Sequence, residues 1–525
     1  MAEWAHGQRR IVRHVGSAND EVSLGLLMAE ARRLVDGDLQ GELDLGLTVP
    51  VRRVGLLGPP SVPGLFTGTG KRARRSVVPA PVVVKTFSAV LFDAIAGVYD
   101  DLGFGALGDL VFRDLVVARV VEPTSLVDVD RVLADLGRVA ASHSTRRRTL
   151  RLCCKGLYRE RLATLCYANA LTLGDLSLVL YDVTTLRTQA DAEDQLRRVG
   201  YSKDRSIDPQ ITVGLLVDRL GNPLEIACFE GNKAEKNTII GVVEAFEARY
   251  GTGRLVVVAD AGMLSAANLK ALDDAHHRFI VGAKVSKAPI DLASHFRWHG
   301  DAFVDGQLID TLTPKVGANL ENPLSTKDEP TWDPQAHPGS WRAIWSYTAK
   351  RFVRDNMVVN KQANRAQAVI DGQKTTRTPR FVKKTAGSYH LDEAALARAR
   401  RLVGLKGYVT NIPAIEMSAA EVIGAYHDLW HVEESFRIFK SDLAARPFFA
   451  RKRDAIEAHL TIVFAALAVT RTIQTRTGIT IRRFLRTIRP LRSATIHANG
   501  TTQTLPPAID PDQQATLNTL TQHRH

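Results

Sequence analysis

Asp182 and Asp260 each close an apolar, β-type run, Leu176-Ser-Leu-Val-Leu-Tyr181 before the first and Leu255-Val-Val-Val-Ala259 before the second. Glu433 lies in a late amphipathic stretch, Ser418–Ala444, with Tyr426 seven residues before it and Lys440 seven after. Seven residues are nearly two helical turns, so these three are expected on one face of a single long helix. Leu429, Val432, Phe436, Phe439 and Leu443 form its core seam. A stripe about 100° round from that seam holds Tyr426, Trp430, Glu433, Arg437 and Lys440, and Glu434 falls further toward solvent. Carboxylates are hard oxygen donors, and two Mg²⁺ ions about 3.5–4 Å apart need several of them. Such an ion pair activates a water or a 3′-hydroxyl on one side of a phosphodiester and stabilises the leaving oxygen on the other. Lys440 and Tyr426 would hold the phosphate by charge and hydrogen bond. A lone Asp after a strand is ordinarily a turn or cap residue. The two aspartates point to a metal site because Glu433 follows them.

The elements that must position these groups read as β-β-β-α-β-α-β. The strands are 176–181, 211–217, 224–229, 255–259 and 278–282, with helices at 235–250 and 265–275 and an acid at the end of strands one and four. Strands one and four are expected to be neighbours. Residues 81–172 are mostly helical, and 173–283 form the first part of the α/β core. Residues 284–411 are a strand-containing insertion, in which Trp341, Ala343, Trp345 and Tyr347 alternate as in a strand and the basic runs Lys350–Arg365 and Thr375–Lys384 follow. Residues 412–475 supply the last core helices. At the ends, 1–80 is mixed and loop-rich, with a helix at Asn19–Val35, and 476–525 is a basic segment running into a disordered tail. Between Ala458 and Ile509 there is no acid, while Arg471, Arg476, Arg482, Arg483, Arg486, Arg489 and Arg492 all fall there. Arg147, Arg151, Lys155 and Arg159 repeat at i, i+4, which is either a solvated surface or a DNA-facing helix.

The 525 residues carry 69 Lys and Arg against 56 acids, a net charge of +13, and a pI near 9.6. That surplus favours polyanionic partners, nucleic acid first. With 45% hydrophobic and 24% charged residues, the composition excludes extended disorder, collagen and small disulfide scaffolds. Cys153, Cys154, Cys166 and Cys228 show neither a disulfide framework nor C-x-x-C zinc spacing, so a reducing cytosol is expected. The run Leu460–Val469 is half the length a bilayer span needs and reads as a buried helix. His427-Asp-Leu-Trp-His431 imitates the H-E-x-x-H zinc-protease pattern, but an Asp stands where the longer Glu base belongs. No P-loop is present.

Taken together, these residues resemble the DDE transposases of bacterial insertion sequences. The branch is the one with a strand-rich insertion before the last acid and a Tyr-x2-Arg-x3-Glu-x6-Lys signature. Tyr426-x2-Leu429-x3-Glu433-x6-Lys440 departs from it only at Leu429. Leu180-Tyr-Asp-Val-Thr-Thr185, Tyr201-Ser-Lys-Asp-Arg205, Val258-Ala-Asp-Ala-Gly262 and Trp430-His-Val-Glu-Glu-Ser-Phe-Arg437 look alike too, and the likeness covers roughly residues 105–475. The resemblance implies an α/β fold with a ribonuclease-H-like catalytic core, a β-rich insertion and a mostly helical N-terminal DNA-binding region. It implies Asp182, Asp260 and Glu433 as catalytic residues and ligands of Mg²⁺, with Mn²⁺ able to substitute. DNA contacts are expected at Tyr426, Lys440 and Arg437, the last standing in for the absent signature Arg. Arg147 and Arg151 are further candidates, as are Lys203 and Arg205 unless they are only solvated loop charge. The implied partner is double-stranded DNA, both the inverted repeats and the target, bound by a homodimer on paired ends in the bacterial cytoplasm, with no membrane. Relatives of this branch often pass through a DNA hairpin with a flipped base, for which Trp298, Trp341 and Trp345 are candidates unless they are core aromatics. Two alternatives stay open: a structure-specific nuclease or resolvase with the same core, and a catalytically decayed DNA-binding protein.

Overall fold

The computed structural model describes residues 2–5, 8–11 and 81–521, apart from 175, 189–192, 201–207, 235–237, 252–254, 261–265, 316–326, 374–378, 386–387, 447–449, 451 and 499. The chain divides into two units, Met1–Val77 and Val78–His525. In the first, β1 (Ala2–Ala5) and β2 (Gln8–Ile11) pair antiparallel. The helix expected at Asn19–Val35 lies outside the described residues, as do Lys203 and Arg205.

The second unit opens with β3 (Val82–Phe87) and five helices: α1 (Ala89–Asp101), α2 (Leu110–Val121), α3 (Val129–Asp135), α4 (His143–Lys155) and α5 (Tyr158–Leu173). The side chain of Asp109 accepts from the Phe112 amide at 3.0 Å and caps α2. The basic stripe expected through Arg159 is broken at Leu157, which takes a left-handed backbone with φ 49°. Arg147 and Arg151 are exposed on α4. Arg159 belongs to α5 and pairs with Glu457 instead.

The expected β-β-β-α-β-α-β order is what the chain adopts: β4 (Leu178–Arg187), β5 (Gln210–Asp218), β6 (Pro223–Glu230), α6 (Ile239–Tyr250), β7 (Val256–Ala259), α7 (Ala266–Asp274) and β8 (Arg278–Ala283). β4 to β6 form an antiparallel meander, and β7 and β8 add parallel to β4. The insertion follows as α8 (Ala288–Asp291), α9 (Ala293–Trp298), β9 (Leu308–Pro314), β10 (Ser340–Tyr347), α10 (Ala349–Ile370), β11 (Val382–Thr385), β12 (Ser388–Leu391), α11 (Glu393–Arg401) and β13 (Leu405–Thr410). Its longer strands do not stand apart from the core. They extend one eight-stranded sheet in the order β6-β5-β4-β7-β8-β13-β10-β9, pairing the backbone groups that the edge of β8 would otherwise leave open. Gly407 of β13 makes this join possible, since a Cβ there would stand 2.7 Å from the Trp345 ring and 2.8 Å from Ala283 Cβ.

After the sheet come α12 (Ala419–His427), α13 (Trp430–Arg437), a π-helical turn at Ile438–Asp442, α14 (Arg453–Thr477), α15 (Ile481–Ile488), β14 (Ser493–Ala498), β15 (Thr501–Leu505) and α16 (Pro511–Thr521). Two expectations are corrected here. The single helix over 418–444 is three pieces, because the chain turns at Asp428-Leu429 and then widens to a bond from the Leu443 amide to the Ile438 carbonyl, 2.9 Å. The C-terminal segment is not a disordered tail: β14 pairs with β3 and β15, and α16 packs on α14 with Leu520 buried. α14 is the one described helix long and apolar enough to cross a membrane, yet Leu460 to Val469 are all buried in the core.

The strand alternation sorts two cores. Leu178, Leu180 and Leu186 of β4 join Val256 and Val258 of β7 in a large core with α12, α13 and α14. Val179, Tyr181, Val183, Val257 and Ala259 face the other way, toward α6, Trp341 and Trp345.

Candidate active site

The register β4–β7 sets Leu178 beside Val256, Val179 beside Val257 and Leu180 beside Val258. Two residues beyond the last of these pairs come Asp182, still within β4, and Asp260, one residue past the end of β7. Because strand side chains alternate, both aspartates share the face of Leu180 and Val258, the one on which α12 and α13 lie. β7 ends at Ala259, so Asp260 stands where the parallel pairing runs out and is exposed. Asp182 is half-buried in mid-strand, paired on its other side with Leu215 of β5.

Ser418 and Glu421 form a reciprocal capping box that starts α12, and the helix delivers Tyr426 to this face. The Tyr426 phenol donates to Asp260 Oδ1 at 2.7 Å. Burial, that hydrogen bond and the nearby charges of Asp260 and Glu433 all push the phenol well above its ordinary range, so it stays a donor. Lys406 of β13 sits 3.4 Å from the Tyr426 hydroxyl and 4.8 Å above its ring, and Tyr408 meets Tyr426 edge-on at 5.0 Å. Burial and the positive charge of Arg351, in the first turn of α10, lower the Lys406 ammonium, while Asp260 opposes them. Sequence reasoning missed Lys406. Its one readable signal is a charged residue inside an otherwise buried strand, Leu405-Lys-Gly-Tyr-Val-Thr410.

The other expected groups are placed differently. Glu433 is exposed on α13, where its charge reaches Tyr426. Glu434 does not face solvent, because Arg471 of α14, itself buried, draws its carboxylate in at 2.6 Å. The turn before α13 rotates the helix phase, so Tyr426 is buried, Glu433 exposed and Lys440 half-buried, rather than all on one stripe. Lys440 lies 5.7 Å over the Phe436 ring. Arg437 pairs with Glu434 at 3.3 Å and Asp442 at 3.9 Å, which competes with its expected phosphate role. Leu429, Val432, Phe436, Phe439 and Leu443 are all buried, as the seam required. His427 and His431 fall on opposite sides of the turn, which removes the shared helix face that a zinc-protease motif needs.

Trp341 and Trp345 are core residues, 3% and 0% exposed. Their indole nitrogens donate to Asp273 at 3.0 Å and Asp291 at 3.1 Å, so neither offers a face to a base. Trp298 is exposed at the end of α9, with the Arg297 guanidinium 5.6 Å above its ring. Among the described residues no group of three or more His, Cys, Asp or Glu could hold a metal ion. Asp182, Asp260 and Glu433 therefore do not close into one cage, although the two aligned aspartates offer the hard oxygen donors that a divalent cation prefers.

A family model described as "Transposase DDE domain" matches residues 173–469, from the end of α5 to within α14 and more than half of the chain. The chain belongs to this transposase family. It is accordingly an enzyme of DNA transposition, and the match takes in every strand from β4 to β13. Among solved structures, one similar chain is a piggyBac transposase synaptic complex with hairpin DNA, at 9% identity and TM-score 0.37, covering 77% of this chain and 79% of that one. No curated protein matches.

Proposed function

We propose that this transposase is encoded by a bacterial insertion sequence, acts in the cytoplasm at the nucleoid, and cuts and rejoins DNA at its element's ends by cut-and-paste, as a homodimer on paired ends. The sheet order β6-β5-β4-β7-β8 is read as a ribonuclease-H-like core. The observation that carries this reading is the alignment of Asp182 and Asp260 on one sheet face, with Tyr426 donating to the second. Asp182, Asp260 and Glu433 would hold Mg²⁺, or Mn²⁺ in its place. The bound cations would supply an activated oxygen nucleophile and charge stabilisation of the leaving oxygen. Tyr426 fixes the rotamer of Asp260 through its hydrogen bond. Lys440 supplies positive charge to a phosphate, and the exposed Arg147 and Arg151 of α4 contribute DNA contacts from the helical region. Lys203, Arg205 and Trp298 remain candidates for the same task.

Replacing Asp260 by Asn or Glu433 by Gln is expected to abolish cleavage of the element's terminal DNA in Mg²⁺ and Mn²⁺ while leaving DNA affinity near wild type. Supplying a pre-cut end and a target plasmid separates the nuclease alternative, because a transposase yields joined product. A second reading, a DNA-binding protein without catalysis, is favoured by the ungathered carboxylates. Wild-type activity no higher than that of Glu433→Gln would decide for it.

A further inference from the structure

The chain's positive charge is concentrated. Residues 349–404, which run from the start of α10 to the turn before β13, hold thirteen Lys and Arg against four acids, a net +9 of the chain's +13. This segment forms a module with its own small core of Val359, Ala366, Phe381, Leu396 and Val403. Its two ends are pinned together where the Thr348 amide donates to the Gly404 carbonyl at 3.2 Å, two residues from Lys406. α10 therefore starts beside the candidate site, with Arg351 of its first turn near enough to act on Lys406.

On α10, Lys350, Arg354, Lys361 and Arg365 are all exposed and fall within about 60° of one another at 100° per residue. Val359 and Ala366 point the opposite way, into the module. From Lys350 to Arg365 the stripe is about 22 Å long. Arg354 leans on Asp355 at 3.5 Å, but among the described residues Lys350, Lys361 and Arg365 meet no carboxylate. Lys361 and Arg365 stand at i, i+4, where like charges destabilise a helix. A cationic stripe of this kind, with one acid at its flank, fits an array of phosphates.

We propose that α10 is a rail for the sugar-phosphate backbone of duplex DNA, leading the strand to and from the catalytic groups beside Lys406. This rests on the transposase reading above and names the surface it uses. The experiment measures affinity of full-length protein for a long duplex of the element's terminal DNA against salt, with hydroxyl-radical footprints. For Lys361→Gln/Arg365→Gln, the slope of log affinity against log salt should become shallower by about two. The protected stretch should shorten at one end, with the melting temperature unchanged. The charge-keeping swap Lys361→Arg/Arg365→Lys should behave as wild type. A neutralised variant that is folded and keeps the wild-type slope and footprint overturns the proposal. Cleavage of the same duplex by wild type reads the function separately, so an inactive wild type whose slope still depends on Lys361 and Arg365 leaves the rail standing and removes the catalytic reading.

Discussion

Two stretches of this chain are both strongly basic on paper and opposite in the fold. Between Ala458 and Ile509 there are seven arginines and no acid, yet five of them are tied to acids from elsewhere. Arg471 meets Glu434, Arg476 meets Asp101 at 2.7 Å, Arg482 meets Asp442 at 2.6 Å, and Arg489 and Arg492 close on Asp135 at 3.0 and 2.8 Å. In α10 the cations point outward with few acids near. The C-terminal arginines are thereby engaged largely within the fold. Most of them staple α14 and α15 to the rest of the unit. An acid-free window in a sequence measures where acids are not in the chain, and says nothing of which acids the fold brings to it.

The sharpest break of this contrast is Arg471→Met. Arg471 is 7% exposed at its side chain and also donates to the Leu220 carbonyl, so its loss leaves the carboxylate of Glu434 stranded but for the exposed Arg437 at 3.3 Å. Removing one partner of a buried pair costs about 3–5 kcal/mol. The expected outcome is a clearly lowered melting temperature, with DNA affinity per folded molecule unchanged. Adding Glu434→Leu should recover much of the loss, since the stranded charge is then gone. Equal damage from the double variant would contradict the staple.

Arg489 tests the same idea at smaller size and through pH. It joins Glu122 and Asp135, both at 3.0 Å, and is 38% exposed, so Arg489→Gln should cost about 1 kcal/mol or less. Glu122 is held below the usual carboxylate range by hydrogen bonds from Arg131 and then Arg489. Burial pushes Asp135 up, but hydrogen bonds from Arg492 and Arg489 outweigh it and hold it low. Depressed native values mean the unfolded chain binds more protons as pH falls. The clamp is therefore complete above about pH 4 and is lost below it, as pH falls through the native values. Amide exchange across α15 should accelerate in that acid window for wild type and depend less on pH for Arg489→Gln.

How much of this was legible in the sequence depends on the range of the cause. The order β-β-β-α-β-α-β was readable because the strands are short apolar runs bounded by turns, and Asp260 comes with the end of one of them. Asp182, expected at a strand end, lies in mid-strand because β4 continues to Arg187. The core seam from Leu429 to Leu443 was readable as a period. The turn at Asp428-Leu429 was not, since no Pro or Gly marks it and the pull on Glu434 comes from Arg471, 37 residues on. Lys406 was hidden because its neighbours Tyr426 and Asp260 come from an α-helix and another strand. The partners of Arg489 lie 354 and 367 positions away, beyond any window reading.

Arg483 and Arg486 offer the finest test. Both are exposed on α15, and among the described residues neither has a carboxylate partner, so they are the part of the C-terminal segment that still resembles α10. They occupy one turn of a short helix whose other face, Ile481, Phe484 and Ile488, is buried, and Arg482 beside them is already held by Asp442. Arg483→Gln/Arg486→Gln should leave stability within about 0.5 kcal/mol. It should also make the salt slope of DNA binding shallower by less than about one, against about two for the pair on α10. If it flattens the slope as much as the α10 pair does, the two basic regions share the DNA and the contrast between staple and rail fails.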